Sequence, residues 1–306
     1  MAFSLMPSFA QPQGSTGDYI FVTKWGSIGS GFGKFSQPFD IATDSTGNVY
    51  VTDFTGLANQ VQKFTSNGTF IQSWGFLGTG GGGFANAAAI AVDANGTVYV
   101  TDWGNADQAV QKFTSDGIFL GLWGGTGLNE GEFINPAGIA VDSQGFVYVG
   151  DFGENNRVQK FDSNGNFIMA WGTPGSNDGQ FMNPGDIAVD SNGTIYVVDV
   201  GNNRVQKFDS NGNFIGKWGT PGTGDGQFNT PTSVAIDSSD NVFVVDRGND
   251  RVQVFDTNGN FITKWGSQGS ADGQFNNPIG IAVDTDGVIY VTDEGNGRIQ
   301  VFSRGG

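Results

Sequence analysis

"YIFVTKWG" (Tyr19 to Gly26) stands ahead of anything else in the chain that looks organised, and its closing phrase recurs as "TFIQSWG", "IFLGLWG", "NFIMAWG", "NFIGKWG" and "NFITKWG". The repeated Trp falls at Trp25, Trp74, Trp123, Trp171, Trp218 and Trp265, at spacings of 49, 49, 48, 47 and 47 residues. A steady period of that length marks a stacked or radial array rather than unrelated domains. Each later copy closes a longer unit with four apolar segments. In the fourth unit they are "DIAVD" (186 to 190), "TIYVVD" (194 to 199), "RVQKFD" (204 to 209) and "NFIGKWG" (213 to 219), all of strand length. "DSNG" joins the first to the second and "DSNGN" the third to the fourth; Asn-Gly accommodates the positive φ of a tight hairpin. Each unit therefore reads as a four-stranded antiparallel meander of about 45 residues, the size of a propeller blade. Phe214 and Trp218 fall on one face of the fourth segment and Ile215 on the other, so both faces are expected to be covered by neighbouring blades.

Counting shows what the opening phrase is for. First segments end at Asp44, Asp93, Asp142, Asp190, Asp237 and Asp284, and third segments also number six, the last being "RIQVF" (298 to 302). The sixth unit then stops without its fourth segment, and residues 19 to 26 supply it. The expectation is an all-β fold, a six-bladed β-propeller of four-stranded antiparallel blades forming one domain over 19–306. The N-terminal strand completes the sixth blade and closes the ring, removing the edges that an open array would expose.

Composition narrows the chemistry. Gly 51 of 306 residues and the many "NG" and "DG" pairs suit short strands and tight turns, and no helix of any length is expected. Cys is absent, which removes disulfides, thiolate nucleophiles and Cys-ligated zinc. His is absent too, so the usual general base near neutral pH and the commonest nitrogen ligand for metals are missing. The net charge of −16 disfavours nucleic acid and anionic membrane as partners. Most basic residues occupy recurring positions: Lys63, Lys112, Lys160 and Lys207 in the third segment, Arg157, Arg204, Arg251 and Arg298 at its start, Lys24, Lys217 and Lys264 before the Trp.

Residues 1–18, "MAFSLMPSFAQPQGSTGD", sit outside the repeats, lack a basic start, and have an apolar stretch too short for a membrane span or a complete signal peptide. "SFA" before Gln11 places small residues where a signal peptidase reads. A disordered segment is expected, either a signal-peptide remnant on an extracellular or cell-surface protein or the loose terminus of a cytosolic one. A monomer is expected.

Units such as "NPGDIAVDSNGTIYVVDVGNNRVQKF" (183 to 208) and "NPIGIAVDTDGVIYVTDEGNGRIQVF" (277 to 302) resemble the NHL repeat, and the likeness extends over about residues 19 to 302. The resemblance implies a propeller and leaves function open, since NHL propellers serve as protein docking surfaces, RNA-binding platforms and lyases. The NHL lyases rely on histidine-ligated metal, a site that a chain without His cannot reproduce. Units one and two depart from the pattern: "GLANQVQKF" and "GNADQAVQKF" carry an extra residue and lack the Arg.

The Asp after the second segment (Asp53, Asp102, Asp151, Asp199, Asp246, Asp293) recurs in every unit. It is expected to tie its own loop or pair with the following Arg rather than to bind cations. The "DSNGN" runs lack the distal Glu of a calcium loop, and "GTGGGGF" (78 to 84) lacks the Lys-Ser/Thr and helix of a phosphate loop. Where units disagree, function has room. After the recurring Asp stand Phe54, Trp103, Phe152, Val200, Arg247 and Glu294, so three aromatics fall on three consecutive blades with lengthened loops. They form a candidate platform for a peptide, protein or glycan, with Asn105, Asp107, Glu154, Asn155 and Arg247 as polar partners. The alternative is that the rings merely pack over those loops. Just before the first segment stand Asp40, Ala89, Gly138, Asp186, Ser233 and Gly280, and Asp40 and Asp186 face each other across a six-bladed ring. They could hold a calcium ion or a substrate cation, or simply bond backbone amides and water; calcium prefers more oxygen ligands than two carboxylates supply. The functional expectation is a non-enzymatic binding scaffold without a cofactor. A calcium-dependent hydrolase or lactonase in the central channel is the alternative, and RNA binding ranks last.

Overall fold

A computed structural model describes residues 18–54, 59–104 and 108–305 of the chain. Of the N-terminal segment expected over residues 1–18, all but Asp18 lies outside the described residues.

Six four-stranded antiparallel sheets are arranged as blades, their first strands starting at Pro38, Ala87, Pro136, Pro184, Pro231 and Pro278. Blade four is representative, running Pro184–Val189, Ile195–Asp199, Arg204–Phe208 and Phe214–Trp218 from the central channel outward. Blade six takes three strands from the end of the chain and its outermost, Tyr19–Trp25, from the beginning. That strand pairs antiparallel with Arg298–Arg304, placing Tyr19 opposite Arg304 and Trp25 opposite Ile299. The ring closes as the count of segments requires.

The core lies between blades rather than within them. Each of the six apolar clusters joins two adjacent blades; one holds Tyr196, Val198 and Val205 of blade four against Phe228, Val244 and Phe255 of blade five. The recurring Trp reaches across the same seam. Trp171 of blade three meets Phe208 of blade four at 5.9 Å between ring centroids. It also lies flat on the hairpin Gly212, where a Cβ would come within 2.8 Å of the indole, so the "NG" of one unit makes room for the Trp of the unit before it. The loop between blades carries a Phe that the segment pattern did not single out: Phe35, Phe84, Phe133, Phe181, Phe228 and Phe275 are all 0% exposed. The glycine after each Trp accommodates it. Gly172 has φ of 97°, and a Cβ there would stand 2.5 Å from the Phe181 ring. Lys63, Lys112, Lys160 and Lys207 donate to hairpin carbonyls of the next blade, which accounts for much of the basic inventory as architecture.

One expectation is corrected. The fourth strands are not covered on both faces: Ile215 is 52% exposed and Ile262 47% exposed. Blades diverge as wedges from the channel, so the neighbour that covers the inner strands on both sides has drawn away from one face of the rim strand.

Candidate functional site

The hairpins joining strands one to two and three to four lie on one face of the ring; the loops joining strands two to three and blade to blade lie on the other. In blades four to six the second-to-third connection is one 3-10 turn, at Val200–Asn202, Arg247–Asn249 and Glu294–Asn296, followed by a left-handed residue. The lengthened loops of blades one and two contain residues 55–58 and 105–107, so the expected partners Asn105 and Asp107 lie outside the described residues.

The recurring Asp is a tie for this loop face, as expected. Asp199 is fully buried; its Oδ1 accepts the Met182 amide at 2.8 Å, and its Oδ2 accepts Arg204 Nε at 2.7 Å and Asn202 Nδ2 at 2.8 Å. Arg204 then donates through Nη1 and Nη2 to the carbonyls of Ser176, Asn177 and Gln180, pinning the inter-blade loop. Blades five and six repeat the pairing at 2.7 Å, and Arg157 with Asp151 does so at 3.2 Å. Without the Arg, Asp53 of blade one holds its loop through the amides of Ser36 and Gln37. The Asp opening each first hairpin is equally structural. Asp44 would be pushed up by burial, yet hydrogen bonds from Thr46, Asn48 and Tyr50 outweigh this and hold it at about 2.

What remains variable on this face converges on the channel mouth. A cavity of about 240 Å³ opens there, walled by Phe39, Trp103 and Phe152 on one side and by Val200, Thr232 and Arg247 on the other. Phe54 stands behind the wall, stacked on Phe39 at 4.6 Å and 20° and edge-on to Trp103 at 5.6 Å; Trp103 meets Phe152 at 5.5 Å. The three predicted aromatics therefore form one contiguous arc, extended by Phe39. The rings pack on one another, yet Trp103 and Phe152 also line open space. Arg247 stands at the mouth with Nη2 3.2 Å from Glu294 Oε2. Glu154 is exposed and does not line the cavity, and Asn155 donates to Asp151 and to the Gly127 carbonyl, holding its own loop.

The floor of the cavity is the predicted carboxylate pair. Asp40 and Asp186 line both the mouth and a second cavity of about 190 Å³ beneath it, bounded by apolar side chains of the inner strands, so they form the waist of the channel. Their positions follow a three-blade alternation, Asp-Ala-Gly then Asp-Ser-Gly, around the ring. The Gly preceding each Asp makes room for it: a Cβ on Gly280 would lie 2.8 Å from Asp40 Oδ1, and one on Gly138 2.5 Å from the Asp186 Cα. Each Asp then reaches forward to the following blade. Asp40 Oδ2 accepts the Ile90 amide at 2.8 Å; Asp186 Oδ2 accepts the Val234 amide at 3.1 Å and the Ser233 hydroxyl. Burial pushes Asp40 well above the usual carboxylate range, and the neighbouring Asp186 adds to it. Burial likewise raises Asp186 to about 6, against the lowering effect of Ser233, Val234 and Ile187.

Two carboxylates do not by themselves make a calcium site. The ion takes six to eight oxygens, whereas among the described residues no group of three or more Asp, Glu, His or Cys could hold a metal. The oxygens of the pair are also engaged by backbone amides of two blades each.

The sequence profile described as "NHL repeat" matches residues 133–161, 181–208, 228–255 and 275–302, in blades three to six. Curated proteins include no significant match. Solved structures share the fold. One described as a streptogramin B lyase superposes with a TM-score of 0.65 at 14% identity, covering 93% of this chain and 97% of that one. An auxiliary nutrient binding protein from Bacteroides thetaiotaomicron gives 0.66 at 16% identity, covering 89% and 70%. A gluconolactonase from Xanthomonas campestris gives 0.64 at 12% identity, covering 89% and 87%.

Proposed function

The chain is an NHL-repeat β-propeller, and on that footing we propose that it is a binding protein whose ligand, a peptide, protein or glycan, enters the channel mouth against the aromatic arc of blades one to three. The observation that carries this reading is that Phe39, Trp103 and Phe152 line one wall of a 240 Å³ cavity, with Phe54 behind them joining Phe39 to Trp103 in one contiguous arc. The repeat has no architectural need of Phe54, Trp103 and Phe152, since Val200, Arg247 and Glu294 occupy the same position in the other three blades. Concave, largely apolar pockets with a few convergent polar groups are the usual form of a ligand site. The nutrient-binding protein among the similar folds is consistent with such a use.

Replacing Phe54, Trp103 and Phe152 together by Ala tests it, with peptide and glycan arrays as the readout and thermal melting as the control. Loss of captured ligands at an unchanged melt supports the reading. An equal loss of stability would make the rings packing residues.

A second reading, a hydrolase or lyase acting in the channel, draws on the raised, mutually interacting Asp40 and Asp186, because such groups cluster at catalytic sites. The lyase and the gluconolactonase of similar fold keep it in view. It has no histidine to work with. The Asp186→Asn variant separates the two readings: turnover of a lactone panel that disappears in the variant would favour the enzyme.

A further inference from the structure

The wall of the mouth cavity and its floor have complementary properties. The wall presents aromatic faces and edges, Phe39, Trp103 and Phe152, in a recess lined by few polar groups. The floor presents two carboxyl groups, Asp40 and Asp186, drawn together from opposite blades. Arg247 at the rim is paired with Glu294, so it adds no net charge to the mouth. An aromatic face attracts a cation through its quadrupole, most strongly when the cation is desolvated and the ring is Trp. A carboxylate supplies the countercharge. A metal ion would need more oxygens than the floor provides, but an organic ammonium needs none beyond one or two acceptors and gains from apolar surface around its carbon substituents.

We propose that the mouth cavity recognises an organic cation, an alkylated ammonium group on a small molecule or on a peptide side chain, with its alkyl groups against Trp103 and Phe152 and its charge above Asp40 and Asp186. This rests on the binding reading and names the chemistry of the ligand. Three-blade alternation gives the arrangement a logic. Blades one and four carry the Asp, whereas blade two carries only Ala89 at that level, and Ala89 lines the cavity together with Trp103 and both Asp residues.

The test is isothermal calorimetry of the full chain at constant ionic strength and pH 7.5, with choline chloride and its uncharged isostere 3,3-dimethylbutan-1-ol as probes. Saturable binding of choline, at least tenfold tighter than the alcohol, is expected. Trp103→Ala should weaken choline at least tenfold, and Asp186→Asn, which keeps an acceptor for Ser233, should do the same without changing the alcohol. If Asp186→Asn does not fold by circular dichroism, the comparison of the two probes on the unmodified chain decides without it. Equal binding of both probes would overturn the cation while leaving an apolar binding site intact. Failure of both probes would also overturn it, and the peptide and glycan arrays would then judge the broader reading separately. Stoichiometric displacement of choline by calcium chloride would assign the floor to a metal and overturn the proposal.

Discussion

Ser233 on blade five donates its hydroxyl to Asp186 Oδ2 on blade four at 2.5 Å, so a carboxyl group at the waist of the channel also fastens two blades together. The contact stabilises the charged form, yet burial wins and holds Asp186 at about 6. An acid raised in the folded state keeps its proton through a window in which the unfolded chain, near 3.8, has lost it. Its contribution to stability is therefore present below 3.8 and lost as pH rises toward about 6, with a limiting slope of about 1.4 kcal/mol per pH unit for one proton.

Asp186→Asn removes that dependence. Melting curves from pH 3.5 to 7.5 should show the unmodified chain losing stability relative to the variant between pH 4 and 6. The titratable groups around Asp186 are Asp40 on the floor and the Arg247–Glu294 pair at the mouth; the pair stays in both proteins, as do Asp44, Asp53 and Asp151, and largely cancels in the difference, whereas Asp40, which Asp186 helps to raise, relaxes downward in the variant and adds to the difference in the same direction. Parallel curves would mean that Asp186 titrates like an exposed carboxylate.

Arg204 and Asp199 form a buried pair, 7% and 0% exposed at the side chain, that locks the loop between blades three and four. Removing one partner of such a pair strands the other in a poorly solvating site, at a cost of about 3–5 kcal/mol. Arg204→Ala should lower urea-unfolding stability by about that amount. Arg204→Lys should recover little, because a single ammonium cannot reach Asp199 and the carbonyls of Ser176, Asn177 and Gln180 together. A loss below about 1 kcal/mol would show that loop packing alone holds the tie.

The fold was legible because the repeat states it many times over. Each of the four strands recurs at a steady period, and the one misplaced copy, Tyr19 to Trp25, is explained only by closure. Trp171 and Gly212 show why that period is so strict: the indole of one blade rests on the hairpin glycine of the next, so neither can drift. The site was legible only in part. Asp40, Asp186, Trp103, Phe152 and Arg247 were found as departures from the repeat, and the ring brings them to one cavity. Phe39 was missed because it sits inside a first strand, where an apolar residue attracts no notice, and only the stacking of Phe54 upon it reveals its part in the wall. Asn155 and Glu154 were grouped with the platform by proximity along the chain. Loop geometry turns Asn155 back onto Asp151 and leaves Glu154 in solvent. Exposure of Ile215 could not be read from alternation, because it depends on how far neighbouring blades have diverged at the rim.

A channel mouth shared by Phe39 of blade one, Asp186 of blade four and Gly280 of blade six exists only if the ring is closed by its terminal strands. Ile20 and Ser303 are directly opposed across that seam, and opposed antiparallel residues lie about 4.5–5.5 Å apart at Cα, within the span of a disulfide. The chain has no cysteine of its own, so Ile20→Cys with Ser303→Cys gives an unambiguous reporter. Mild oxidation should form one intramolecular disulfide, seen as complete loss of reactive thiol in a monomer and a raised melting temperature. Thiols that stay free, or that cross-link only between chains, would contradict closure and with it the cavity.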